Sequence, residues 1–201
     1  MSEATRVMLN NVRLAFPVLD EPEQFQGSGK PRYSEVLLVE PGSENDKKIE
    51  AALRKAAGEQ WGEGNIEAAL KSIKAANKCA YRDGATKDYD GFEGMMALSA
   101  HSQAGAPPSL LDGRKNHLPR NTGMIYAGCY VNASVEIWTL DKKKGYGNQL
   151  NAQLRGVQFS KDGDAFTAAR PADSNEFDVV EAAPADDSDF GNDAAGDSQF
   201  A

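Results

Sequence analysis

"MIYAGCYVNASVEIWTLDKKKGYGNQLNAQLRGVQF" covers residues 124–159, and both of its halves alternate with a period of two. In the first half Ile125, Ala127, Cys129, Val131, Ala133, Val135 and Ile137 share one parity and are small or apolar, while Tyr126, Gly128, Tyr130, Asn132, Ser134, Glu136 and Trp138 share the other. This is the pattern of a strand with one face on a core. In the second half Leu150, Ala152 and Leu154 alternate up to Gly156. The "DKKKGYGNQ" between them reads as a hairpin tip, so the stretch predicts two antiparallel strands, the first running over 124–140 as the longest of the fold. The mixed aromatic face of that strand has two readings: an ordinary half-buried sheet face, or flat rings on which planar groups stack.

The rest of the chain predicts a β-rich α+β fold. "VMLNNVRLAF" alternates with a phase change at Asn10–Asn11, the mark of a bulged strand, with Val12, Leu14 and Phe16 on one parity. "LDEPEQFQGSGKP" is turn-rich, and "RYSEVLLVE" is a second strand closed by Pro41–Gly42. Ser43, with Asp46 three residues on, caps a helix over "ENDKKIEAALRKAA", with Ile49 and Leu53 facing inwards. "NIEAALKSIKAANK" places Ile66, Ala69, Leu70, Ile73 and Ala76 on one face of a second helix, with Lys71, Lys74 and Lys78 off that stripe. A strand near Met95–Ser99 and a basic, proline-containing loop over 103–123 follow.

With 201 residues, 40% of them hydrophobic, the chain is sized for one domain, and its 19 glycines and 9 prolines suit a turn-rich fold. No apolar run is long enough to span a membrane, and "MSEATRVMLNN" lacks the layout of a secretory signal, so a soluble intracellular protein is expected. Cys79 and Cys129 have no CxxC spacing and read as free thiols, although a disulfide is sterically conceivable. His101 and His117 do not pair at metal-ligand spacing, so neither metal nor cofactor is expected.

The formal charge of −8 is unevenly distributed. Every Lys and Arg lies before residue 171, so residues 1–170 carry +1 and residues 171–201 carry −9. The expected organisation is a binding domain over 1–170 and a disordered acidic tail over 171–201, too poor in large apolar residues to fold. The tail reads either as a solubiliser or as a tethered ligand in which Asp186, Asp187, Asp189, Phe190 and Phe200 dock on a partner.

Enzyme signatures are missing: the chain has no GxxxxGK[ST] loop and no GxSxG elbow, and Asp88/Asp90 and Asp162/Asp164 sit in turn-like sequence that Asp favours for backbone reasons. Cations and aromatics are interleaved instead. Lys30, Arg32, Arg114, Lys115, Arg120 and Lys142, Lys143 and Lys144 could hold phosphates, and Tyr33, Tyr126, Tyr130, Trp138 and Tyr146 could stack bases. Together they suit single-stranded nucleic acid read without sequence preference.

On "NVRLAFPVL", "GKPRYSEVLLVEP", "DGFEGMMALSA", "AGAPPSLLD" and the opening stretch extended to "SKDGDAF", in that order over about residues 8–168, the chain resembles the phage-encoded single-stranded DNA-binding proteins of the OB-fold type. The resemblance implies an elaborated five-stranded OB barrel with two inserted helices. It also implies a role in phage DNA replication, recombination or repair, and an acidic tail that recruits replication proteins such as a polymerase or a helicase/primase. Many such tails end on phenylalanine, whereas here Ala201 follows Phe200 and Phe190 follows "DDSD". Dimers are common among these proteins. The competing expectations are a strand-annealing recombination mediator, a self-assembling virion protein and a metal-dependent nuclease.

Overall fold

In the computed structural model, residues 5–25, 28–86, 89, 91–141 and 147–166 are described. Among the described residues seven strands follow one another as β1 (Arg6–Phe25), β2 (Ser28–Val39), β3 (Tyr81–Asp83), β4 (Met96–Gln103), β5 (Ser109–Leu111), β6 (Tyr130–Leu140) and β7 (Gln149–Lys161). Helices α1 (Glu44–Trp61) and α2 (Ile66–Ala75) lie between β2 and β3.

Five strands close on themselves. β1 pairs with β2 and β6, β2 with β4, and β6 with β7, all antiparallel. A short parallel pairing of β4 with β7, Ala100 to Ala152 and His101 to Gln153, completes the ring β1-β2-β4-β7-β6. This is the five-stranded OB barrel with two inserted helices. Strand β5 pairs with β7 beyond β4, at Ser109–Gly156 to Leu111–Gln158, and β3 flanks the start of β4. The predicted inward set on β6 is correct: Val131, Ala133, Val135 and Ile137 are at most 1% exposed, against Leu9, Leu14, Leu37, Leu98, Leu150 and Leu154 from the other strands.

Three predicted elements differ, the first being the loop expected over 103–123, which contains β5. Strand β6 starts at Tyr130 rather than Met124, because residues 126–129 are held off the β6 line. Gly128 N–H donates to Leu14 O, Cys129 O accepts from Leu14 N–H, and Phe166 N–H donates to Ala127 O. The longest strand is therefore β1, at 20 residues. The turn-rich 19–31 stretch is mostly hairpin ladder, Glu23 facing Arg32 and Phe25 facing Ser28, with register shifts absorbing its irregularity. The bulge expected at Asn10–Asn11 is present as a register shift between Leu9 and Val12, with Asn11 at φ +51°. Its freed backbone groups are satisfied by side chains: Asn10 N–H and C=O by Asn45, and Asn11 N–H by Asn132 Oδ1 at 2.9 Å.

Helix α1 begins as its cap predicts. Asp46 N–H donates to Ser43 Oγ at 3.2 Å, and Asp46 Oδ2 accepts from Gly42 N–H at 2.7 Å. Its apolar face, Ile49, Ala52, Leu53, Ala56 and Ala57, has helical spacing and is buried. Tyr81 O–H donates to Asp46 Oδ1 at 2.8 Å, tying β3 to the start of α1. Helix α2 buries Leu70 and Ile73, while Ala76, expected on that face, is its exposed C-cap.

Inside the barrel one polar pair stands out. Glu35 is 1% exposed and Ser102 is 2% exposed; neither Glu35 carboxylate oxygen nor Ser102 Oγ meets a hydrogen-bond partner among the described residues. Burial pushes the Glu35 carboxyl up to about 8, so it is protonated at neutral pH. Cys79 and Cys129 are buried free thiols. Among the described residues no helix is long and apolar enough to cross a membrane.

Candidate nucleic-acid interface

The outer surface of β1, β2 and β4 is built row by row. Ala15 faces Val36, which faces Ser99; Val18 faces Ser34, which faces His101; Glu23 faces Arg32, which faces Gln103. Across its upper part lie residues 84–86, 89 and 91–95 of one segment, closed at its neck by Gly84 N–H donating to Met95 O at 2.8 Å. Phe92, 2% exposed, anchors that segment by packing with Ala15, Leu38 and Ala97 in a second apolar cluster outside the barrel. A Cβ on Gly84 would meet the Met95 and Phe92 carbonyl oxygens at 2.6 and 2.8 Å, so only glycine lets the neck close this tightly.

Two half-exposed rings remain beside the anchor. Phe16 is 48% exposed and Tyr89 is 47% exposed, with ring centroids 4.8 Å apart at 65°, and both lie within 6 Å of Phe92. Phe16 shares parity with Val12 and Leu14, which are buried at 3% and 0% exposed, yet it does not join them. It points outwards because the register slips between Ala15 and Val18 and its own backbone is left-handed, φ +48°. Phe16 lines a cleft with Val36, Thr86, Asp83 and Arg82, whose guanidinium donates to Ser99 Oγ at 3.2 Å and Asn77 Oδ1 at 3.4 Å. Lower on this surface, burial and the charge of Arg32 hold the His101 imidazole below its usual range, hence neutral at pH 7.

The residues expected to bind are dispersed. Lys30 is exposed and Arg32 half-buried on β2, on the surface just described. Tyr33, the intended stacking partner next to Arg32, points into the barrel and is 7% exposed. Arg120 lies over its ring, 4.7 Å from the centroid, and donates to Leu19 O and to Pro108 O. Tyr33 and Arg120 are thus structural: burial closes the tyrosine to a base, and the guanidinium is committed to backbone carbonyls. Arg114 and Lys115 are exposed on a turn whose backbone N–H groups at Arg114 and Asn116 donate to Asp112 Oδ1.

On the β6 side, Tyr126 and Tyr130 do not form the expected i, i+4 pair on one strand face. Tyr126 precedes the strand, half-buried, and its hydroxyl meets Asp162 Oδ1 and Gly163 O at 3.0 Å. Lys161 Nζ sits 4.4 Å from the Tyr130 ring centroid. Trp138 is half-buried and lines a crevice against Ala56 and Gln60 of α1. Among the described residues no group of three or more His, Cys, Asp or Glu could hold a metal ion.

Lys142, Lys143, Lys144 and Tyr146 lie outside the described residues, as do Asp186, Asp187, Asp189, Phe190, Phe200 and the expected boundary at 170. The base of the lysine tip is described. A Cβ on Gly147 would come 2.6 Å from Lys78 Nζ, and Leu150 exchanges backbone bonds with Lys78 and Ala80. From Lys78 the chain leads through β3 to Arg82, which lines the cleft beside Phe16. The Arg114–Lys115 turn follows β5, which pairs near Gln158. That is nine residues, or about 30 Å, along β7 from Gln149.

Phe16, Tyr89, Arg82 and Lys78 escaped the sequence reading. Phe16 was hidden by its parity and Tyr89 by the polar turn "KDYDG" around it; an aromatic in such a turn was the available signal.

Residues 5–190 match the family model described as Enterobacter phage Enc34, ssDNA-binding protein. The chain is 42% identical over 176 residues to "Putative protein p50" of Acyrthosiphon pisum secondary endosymbiont phage 1, covering 86% of this chain and 92% of that one. Among solved structures it is similar to the single-stranded DNA-binding protein of bacteriophage Enc34 in complex with ssDNA, with 25% identity, TM-score 0.68, and coverage of 82% of this chain and 91% of the other. Its fold also resembles gp2.5, a single-stranded DNA-binding protein encoded by bacteriophage T7, with 10% identity, TM-score 0.55, and coverage of 84% and 98%. By the extent of the family match, the chain belongs to the Enc34 family of phage single-stranded DNA-binding proteins.

Proposed function

We propose that this protein binds single-stranded DNA without sequence preference and without catalysing a reaction, in phage DNA replication, recombination and repair in the host cytoplasm. The observation that carries the reading is the family match over residues 5–190, together with a relative of similar fold solved in complex with single-stranded DNA. Lys30, Arg32 and the Lys142–Lys144 tip take phosphates, with Arg114 and Lys115 as a separate outlying contact, and Tyr146 meets a base. Tyr126, Tyr130 and Trp138 contribute at the margin. Residues 1–170 are the binding domain. The acidic tail over 171–201 screens the cationic surface when DNA is absent, and through Asp186, Asp187, Asp189, Phe190 and Phe200 it recruits a polymerase or helicase/primase once DNA displaces it. The protein acts as a monomer or homodimer.

The test is intrinsic fluorescence during titration with a polythymidine oligonucleotide, beside a matched duplex, at two salt concentrations. Quenching by the single strand, weakened by salt and much smaller with duplex, is expected. No response to either nucleic acid at low salt refutes the reading. Deleting 171–201 should tighten DNA binding at low salt; unchanged affinity would refute the screening role.

A further inference from the structure

We propose that Phe16 and Tyr89 form a base-stacking platform, a deepening of the proposed function that rests on it. Met8, Phe16, Tyr89 and Met124 are the large apolar side chains exposed among the described residues, and the two aromatic ones touch. A pair of rings half open to water loses apolar burial that a core position would supply, so such a pair marks a surface that something planar covers.

The rings are held in place. Tyr89 O accepts from Phe92 N–H at 3.1 Å, Phe92 is buried against Ala15, Leu38 and Ala97, and the neck is closed between Gly84 and Met95. Phe16 stands on a bulge of β1 with left-handed backbone, a conformation that bulky side chains rarely adopt. Without that turn outwards its parity would place it with Leu14 in the core.

The occupant follows from the surroundings. The platform sits on the outer surface of the second and third barrel strands, the surface through which OB barrels take oligonucleotides. Arg82 and Asp83 border the cleft beside Phe16, and four residues back along the chain from Arg82, Lys78 meets the base of the lysine tip. Rings beside cations suit a base with its phosphate and ribose, and the 65° angle between the rings gives two successive bases a separate ring each.

The experiment uses the full chain and polythymidine. Phe16→Ala and Tyr89→Ala should each weaken binding about 5- to 150-fold while leaving the slope of affinity against salt unchanged, because no phosphate contact is lost. Phe16→Tyr and Tyr89→Phe should bind within about twofold of the parent. Photocrosslinking the parent chain to 5-iodouracil DNA should give adducts on the peptides carrying Phe16 or Tyr89, a readout independent of whether a variant folds. If the parent binds polythymidine, parental affinity in the double alanine variant, or adducts confined to the β6 side, would overturn the platform and leave the DNA reading standing. A parent chain that fails to bind at low salt would overturn both.

Discussion

Two outer faces of one barrel differ in how their side chains are committed. On the β6 side the polar and aromatic residues hold the fold together. Asn132 accepts from Asn11 N–H and donates to Gln158 Oε1, Gln158 donates to Asp112 O, Glu136 pairs with Arg155 at 3.5 Å while 3% exposed, and Tyr126 closes on Asp162. On the β1-β2-β4 side, Phe16 and Tyr89 keep about half their surface in water, beside a cleft that Phe16 lines with Arg82 and Asp83. Residue types that look alike in sequence thus serve stability on one face and are available to a ligand on the other. Availability, read from exposure and prior hydrogen bonds, discriminates where composition does not.

The comparison breaks most readily on affinity. The double variant Phe16→Ala/Tyr89→Ala should lose at least about 30-fold in polythymidine binding, whereas Asn132→Ala should bind within about twofold of the parent. Equal losses from both would erase the distinction between the faces. Next in size is Gly128→Ala, on the β6 side. Gly128 has φ +106°, and a Cβ there would overlap the Asp164 carbonyl oxygen and come 2.8 Å from Ala165 Cα. A destabilisation of about 3–5 kcal/mol is expected in urea unfolding.

Glu35→Gln sharpens the role of the interior. The folded chain keeps a Glu35 proton up to about pH 8 that the unfolded chain releases above 4.5. Stability therefore falls as pH rises from 4.5 to 8 and is level beyond. The glutamine variant should lose that slope and gain about 3 kcal/mol at pH 7, less what its own buried amide costs. Thermal melts between pH 4.5 and 9 check this; a parent stability flat across that window would contradict it. Replacing Lys142, Lys143 and Lys144 together by Gln should reduce the steepness of the salt dependence by up to about 2, at about 0.7 per lost phosphate contact. The smallest effect is the stability cost of Asn132→Ala, about 1–2 kcal/mol.

Much of the barrel was legible. Alternation on β6 and β7 marked the inward residues, the doubled asparagine marked the bulge, and Ser43 with Asp46 marked the start of α1. The site was less so. Arg120 and Tyr33 had the right chemistry for an interface, but each was already the other's neighbour inside the fold. The tyrosines of 126 and 130 were read as one strand face, and the bonds of residues 127–129 to Leu14 and Phe166 take Tyr126 off the strand.

What the order of amino acids settled is local: a period of two along each strand, a period near 3.6 with its cap along each helix, and a charge that divides at residue 171. These depend on neighbours a few residues apart, so no distant contact can overrule them cheaply. What the tertiary structure decided is non-local. The two-residue parallel contact of β4 with β7 closes the ring across some fifty residues of chain, and nothing near Ala100 or Ala152 announces it. The single-residue slip in β1 carries Phe16 from the inner face to the outer, because side chains alternate and one extra residue exchanges the faces.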